Sequence, residues 1–283
     1  MVLCQPADVN ADGHADFVLV SNTSASITVA FGPTWTSPTV WAVGLDQSVA
    51  LAVGDMNADG LIDVVLANGS AVLLSTNTGR GDFITAPSVR VSNQGASTML
   101  LRDRDADGTT DVVLLSVDRL SLSVCFQSGS TFRCRVLLLS LRPLAGLAAV
   151  DVDSDGRVDL LTCVIASSGS CVWLQSKGST LFVPHTISGA PPSIVAVTTA
   201  ALRSVSSADL TLLSPTGVYT MVHTGIGSFD AATAVYAAIG LTALAAADLD
   251  QDGHTDLIIA SADGSMGWLQ NYGTFVPRRM GSG

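Results

Sequence analysis

One hydropathy pattern recurs along the chain: a short apolar run, a polar and acidic burst around a glycine, then three further apolar runs separated by turn residues. In residues 45–93 the runs are "SVALAVG", "DVVLAN", "AVLLSTN" and "APSVRVS". The acidic stretch "DMNADGLID" separates the first two, and Asn68, Gly69 and "NTGRGD" supply turn chemistry after the second and third. Short runs rich in Val and Leu, bounded in this way, predict strand, acidic loop, strand, turn, strand, turn, strand, with no helix of consequence.

The spacing of the acidic loops turns this pattern into an architecture. Loops begin at Asp8, Asp55, Asp103 and Asp151, at intervals of 47, 48 and 48 residues, and the next complete one begins at Asp248, 97 residues on. That gap is two periods, so a degenerate copy is expected near Ala201, where "ALRSVSSADLTLLSPTGVYTM" keeps Asp209 at the last loop position. Six repeats, at about 1–44, 45–93, 94–141, 142–189, 190–237 and 238–283, therefore fill the chain as one domain. Four short antiparallel strands per repeat predict an all-β fold, a β-propeller of six four-stranded blades with the acidic loops between first and second strands. Independent β-sandwich modules are the competing reading, but a repeat this short buries too little surface to fold alone.

Composition supports the all-β reading: glutamate is absent and Lys177 is the single lysine, so strong helix formers are scarce. No apolar run is long enough to span a bilayer and no basic-then-apolar leader opens the chain, so direct membrane insertion is not expected and any signal peptide lies outside it. The net charge of −11 argues against nucleic acid as a partner, yet 18 of the 24 carboxylates sit in the five complete loops. Five divalent cations would bring the total to about −1. The acidity is therefore read as a metal-site signature.

The loops read Asp-x-Asx-x-Asp-Gly-x-x-Asp. Side-chain oxygens at positions 1, 3, 5 and 9 and the backbone carbonyl at position 7 can converge on one ion, and glycine at position 6 permits the sharp reversal, as in the first part of an EF-hand loop. The five ligand sets are Asp8, Asn10, Asp12, His14 and Asp16; Asp55, Asn57, Asp59, Leu61 and Asp63; Asp103, Asp105, Asp107, Thr109 and Asp111; Asp151, Asp153, Asp155, Arg157 and Asp159; and Asp248, Asp250, Asp252, His254 and Asp256. Position 7, including His14 and His254, offers only its carbonyl. With no His or Cys side-chain ligand, zinc and copper are poor candidates, and calcium suits a flexible all-oxygen site better than magnesium. A solvated aspartate-rich turn is the bland alternative, and five copies in fixed register argue against it.

These loops, together with "VAFGP" at Val29–Pro33, "VLLSTNTGRGDF" and "WLQNYGTF", resemble the FG-GAP or VCBS repeat family, found in integrin α-subunit heads, some fungal lectins and many extracellular microbial proteins. The resemblance spans essentially the whole chain. It implies calcium-stabilised propeller blades, and it implies adhesion, lectin and scaffold roles about equally. The chain departs from the family in two respects. Ala201, Arg203, Val205 and Ser207 replace the ligands of repeat five, so that site is expected to be empty; and the repeats number six, where integrin heads have seven.

Cysteines and sequons bear on compartment. Cys125 and Cys134 bracket "FQSGSTFR", and Cys163 and Cys171 bracket "VIASSGS", so each pair can bridge adjacent strands of a hairpin; four small buried thiols are the alternative, and Cys4 is left over. The sequons at Asn22 and Asn68 fall at matching turns of successive repeats. Calcium loops, paired cysteines and sequons together favour an oxidising extracellular or cell-surface location. Catalysis is not expected: His185 and His223 stand apart from carboxylates and nucleophile motifs, and no phosphate loop, nucleophile elbow or zinc pattern is present. The "RGD" at Arg80–Asp82 reads as turn sequence. Mean hydropathy of +0.47 with 13% charged residues leaves a surface poor in the charge that keeps monomers apart, which ranks a structural or adhesive module acting through protein contacts or self-association first. A lectin ranks second, since Trp35, Trp41, Trp173 and Trp268 share no single register, although Trp173 and Trp268 match each other; a propeller enzyme ranks last.

Overall fold

In the computed structural model the described residues are 2–21, 26–35, 39–42, 50–79, 82–83, 89–92, 94–105, 107–166, 169–178, 180–200, 202 and 209–279. They form six four-stranded antiparallel sheets and no helix. Blade one is Val2–Ala7, Asp16–Ser21, Ser26–Ala30 and Thr39–Ala42, and blade two is Ala50–Gly54, Asp63–Ala67, Val72–Ser75 and Val89–Ser92. Blade three is Ala96–Arg102, Asp111–Ser116, Ser121–Ser128 and Thr131–Leu139. Blade four is Ala148–Val150, Asp159–Val164, Ser170–Ser176 and Phe182–Ser188. Blade five is Ala196–Ala200, Asp209–Ser214, Gly217–Met221 and Thr233–Ala237, and blade six is Leu241–Ala247, Asp256–Ser261, Met266–Asn271 and Phe275–Arg279. Within each blade the strands pair in chain order, as a meander.

The chain divides into two compact units, Met1–Leu141 and Arg142–Gly283, each carrying three blades. In both units the cores lie between successive blades, which explains why second strands read as unbroken apolar runs. In Asp63–Ala67 all five residues are buried: Val64 and Leu66 pack with Val18, Val20 and Ile27 of blade one, while Val65 and Ala67 pack with Val112 and Leu114 of blade three. Alternate side chains of one strand thus serve two interfaces, each aliphatic side chain being worth about 1.5–3 kcal/mol when buried. Blade five repeats the device, with Leu210 and Leu212 facing Leu161 and Trp173 of blade four and Leu213 facing Leu257 and Leu269 of blade six.

Hydrogen bonds tie neighbouring blades at the loop end. Asn77 Nδ2 donates to the Val9 carbonyl of blade one (2.8 Å), and Asn271 Nδ2 donates to the Leu202 carbonyl of blade five (2.9 Å). Blade five departs from the predicted pattern: its third turn is replaced by a small hairpin, His223–Gly225 paired with Ser228–Phe229.

Candidate metal centres

Each acidic loop joins the first and second strands of its blade, as the repeat pattern predicts. The loops are folded by their own carboxylates. In blade one, Asp8 accepts the amides of Asp12 (3.1 Å) and Gly13 (2.8 Å), and Asp12 Oδ1 accepts the amide of His14 (2.9 Å). The same bonds recur at Asp55 and Asp59, at Asp151 and Asp155, and at Asp248 and Asp252; in blade three Asp103 takes Gly108 and Asp107 takes Thr109. Glycine at position 6 adopts φ between +84° and +88°, as the reversal requires. Position 4 is left-handed too, at Ala11, Ala58, Ser154 and Gln251 (φ +57° to +61°), a strain of about 1–2 kcal/mol apiece with no signature in those residue types.

Position 9 differs from the rest. Asp16, Asp63, Asp111, Asp159 and Asp256 are fully buried, and each accepts two backbone amides, one from loop position 2 and one from the end of the third strand. For Asp63 these are Met56 (2.9 Å) and Asn77 (2.7 Å). Burial pushes the carboxyls of Asp63 and Asp111 up to about 6 against those bonds, and raises Asp159 as well. The exposed position-5 carboxyls of Asp12 and Asp107 are instead held low, by the His14 amide and by the Thr109 hydroxyl respectively.

In blades three, four and six the position-1, -3 and -9 aspartates (Asp103, Asp105 and Asp111; Asp151, Asp153 and Asp159; Asp248, Asp250 and Asp256) bring carboxylate oxygens within 4.8 Å of one another, close enough to hold one cation. The position-5 aspartates lie outside these three-oxygen groups, engaged by the amide of position 7. In blades one and two position 3 is an amide turned inward: Asn10 Nδ2 donates to Asp12 (2.9 Å) and Asn57 Nδ2 to Asp59 (3.0 Å). At position 7, His14, Leu61, Thr109, Arg157 and His254 are held by their backbone amides, and the Arg157 side chain also pairs with Asp155 at 3.3 Å. Two buried oxygens, Asp105 Oδ1 and Asp153 Oδ1, have no hydrogen-bond donor. A buried carboxylate oxygen without a donor is costly, and a cation at the centre of the cluster removes that cost. Of repeat five, Ala201, Arg203, Val205 and Ser207 lie outside the described residues.

The other candidate residues also find places. Cys125–Cys134 and Cys163–Cys171 are disulfides between directly paired residues of adjacent strands, and Cys4 is free and exposed. Asn68 is half-buried and shapes an Asx turn, its Oδ1 accepting the amides of Ser70 and Ala71, while Asn22 and Arg80 lie outside the described residues. The two strand histidines are less isolated than the sequence implies. The His223 amide donates to Asp209 (2.8 Å), and the His185 ring stacks on Trp173 (centroids 4.6 Å) and donates to Gln175 Oε1 (3.0 Å). Gln175 Nε2 in turn donates to Asp153, and Gln270 Nε2 to Asp250. The recurring "WLQ" holds this signal in sequence, but only the fold shows that its glutamine reaches the loop.

Residues 8–66 and 55–114 match an FG-GAP-like repeat, and residues 240–274 match the FG-GAP repeat. A search of curated proteins finds no match. Among solved structures, the chain is similar to an Agrocybe aegerita lectin described as recognising non-reducing terminal N-acetylglucosamine (TM-score 0.71, 17% identity, 98% of this chain and 79% of that one). It is also similar to the Dos1 propeller (0.61, 13%, 94% and 68%) and to virginiamycin B lyase from Staphylococcus aureus (0.62, 10%, 100% and 90%). At such identities the likeness speaks to fold alone: six four-stranded blades of a β-propeller.

Proposed function

Since the chain belongs to the FG-GAP repeat family, we propose that it is a calcium-stabilised, non-enzymatic extracellular propeller, one domain of six repeats, which acts as a structural or adhesive module through protein contacts or self-association. Calcium fits the donor set. Asp8, Asn10, Asp12 and Asp16 and their counterparts in blades two, three, four and six offer hard oxygens only, and such an ion would satisfy the donor-free Asp105 Oδ1 and Asp153 Oδ1. When bound, the ion offsets repulsion among the clustered aspartates and staples the first turn of the blade. Two disulfides favour an oxidising compartment, where millimolar calcium keeps such loops filled.

The adhesive reading is carried by where large apolar side chains are left exposed. In a meander the first and third turns of a sheet lie at the same end, so third turns flank the calcium loops. Trp35 (50% exposed), Leu181 (55%), Ile226 (79%) and Tyr272 (56%) occupy the third turns of blades one, four, five and six. Leu181 and Tyr272 stand at the loop ends of blades four and six, and apolar tips held beside metal-rigidified loops offer contact points whose positions depend on calcium. Imaging of the native protein at millimolar calcium and in chelator tests this: calcium-dependent polymers or sheets support it, and a dispersed monomer under both conditions overturns it.

A second reading, glycan binding, is favoured by one feature. A cleft of about 800 Å³ between blades five and six is lined by Tyr236 and Trp268 with Asp263 and Arg278, an aromatic wall facing polar groups. A monomer that gives specific signals on a glycan array would favour it.

A further inference from the structure

The loops of blades four and six share a support that the other loops lack among the described residues. At position 3 Asp153 and Asp250 each accept the side-chain amide of a third-strand glutamine, Gln175 and Gln270. Each glutamine is fixed at its other end by a fourth-strand donor, His185 Nε2 (3.0 Å) or Arg278 Nε (2.9 Å). Two residues before each glutamine stands a tryptophan, directly opposite that same donor residue in the strand pairing: Trp173 opposite His185, Trp268 opposite Arg278. Trp173 is enclosed, with His185 stacked on it and Gly227 of blade five so close that a Cβ there would strike the ring. The indole N–H of each tryptophan is buried outside ordinary hydrogen-bond geometry, and that of Trp173 is directed at Asp159, whose carboxylate it favours.

The consequence for the aspartate follows from donor arithmetic. A carboxylate held through one oxygen by a fixed amide donor cannot swing away, and its second oxygen is presented to the cluster. Asp153 shows this: Oδ2 takes the Gln175 amide and lies 3.9 Å from Lys177 Nζ, Oδ1 is buried without a donor, and the side chain is 6% exposed. Asp250 of blade six is instead exposed and, among the described residues, has the glutamine amide alone as its fixed donor. In blade three the counterpart of Gln175 is Phe126, which has no donor to offer, and in blades one and two position 3 is an asparagine bonded within its own loop.

We infer that Gln175 and Gln270 are positioning residues of the blade-four and blade-six calcium loops: each presets the position-3 aspartate, so these two loops fill before the other three, and the buried indole of Trp173 and the half-buried indole of Trp268 register their filling. The inference rests on the calcium reading above. It makes the five loops unequal, two tight sites holding their blades while three weaker ones respond to changes in external calcium.

The test uses the full chain with Trp35→Phe and Trp41→Phe, which leaves Trp173 and Trp268 as the only indoles. Calcium is titrated into decalcified protein with calorimetry and tryptophan emission followed together. The expected emission change is complete within the first two equivalents, while heat continues to five. Gln175→Leu weakens one of the two tight steps by about tenfold, Gln270→Leu the other, and neither shifts the melting temperature in chelator. Emission that changes evenly across all equivalents, or leucine variants that titrate as the parent, overturns the inference. So do variants that lose chelator-state stability in proportion to affinity, because that marks a merely structural role. A parent that takes up no calcium sinks the calcium reading itself, a separate outcome.

Discussion

Blades five and six share a core and differ at the turn between first and second strands, and the comparison separates two jobs of one residue. In blade six, Asp256 closes a complete acidic loop, accepts the amides of Leu249 and Asn271, and lies beside Asp248 and Asp250. In blade five the loop ligands are replaced, yet Asp209 is as fully buried as Asp256, pairs with Ala200 as Asp256 pairs with Ala247, and accepts the His223 amide at 2.8 Å. The strand-end aspartate therefore outlasts the loop. It belongs to the sheet first, satisfying a backbone amide at or just past the end of the third strand, and to the metal second.

The largest test of that division is removal of the metal. Five loops have complete ligand sets, so decalcified protein should take up five calcium ions by calorimetry, and chelation should lower the melting temperature strongly. Each site filled at a hundredfold over its dissociation constant contributes about 2.7 kcal/mol. Equal melting temperatures with calcium and with chelator would leave the loops no structural role for the ion.

Next in size are Asp209→Ala and Asp256→Ala, compared with and without calcium. Asp256→Ala strands the buried Asn271 amide, at a cost of about 1–3 kcal/mol, and Asp209→Ala the part-buried His223 amide, at the lower end of that range. For Asp209→Ala that loss should be the same in calcium and in chelator. For Asp256→Ala a further loss should appear in calcium only. Thermal melts of both variants under both conditions measure it, and a calcium-dependent loss at Asp209 would show that blade five retains a site.

Smaller effects come from the loop positions alone. Asp155→Ala removes a charged ligand beside Asp151, Asp153 and Asp159, so calorimetry should show the blade-four step weakened steeply, with stability lost chiefly when calcium is present, since in chelator the lost Arg157 bonds are offset by relief of like charge. Ser207→Asp restores one carboxylate to repeat five, where Ala201, Arg203 and Val205 still supply none, and should leave the count at five. A sixth ion would mean that the register assigned to that repeat is wrong.

Much of this was legible in sequence because period and chemistry coincide. An aspartate-glycine loop every 47 or 48 residues, each followed by an unbroken apolar strand, specifies sheet order, loop position and donor atoms together. The cysteine pairs were legible because each brackets a hairpin turn. What escaped lacks a periodic or residue-type signal. Left-handed Ala11, Ala58, Ser154 and Gln251 carry no mark of their conformation. The blade-five hairpin sits in "HTGIGSF", where two glycines read equally well as a single turn. Gln175 and Gln270 resemble ordinary strand residues until the sheet places them under Asp153 and Asp250.

The smallest expected effect is a pH dependence of the calcium increment itself. Burial raises Asp63 and Asp111 to about 6 without metal, above the ordinary carboxylate value near 3.8, so the folded apo-protein binds protons there that the unfolded chain has released. Their contribution is complete below the unfolded value and is lost as pH rises through about 6. Asp12 and Asp107 run the other way, being lowered, and contribute above the unfolded value and lose it only as pH falls below that, outside this window. A bound cation requires ionised ligands and cancels the loss at Asp63 and Asp111. The difference in melting temperature between calcium and chelator should therefore widen from pH 5 to pH 7, with most of the change around pH 6. Asp63→Asn and Asp111→Asn keep an oxygen acceptor but cannot ionise, so the double variant should flatten that widening; a slope as steep as the parent's would place the titration in some other group.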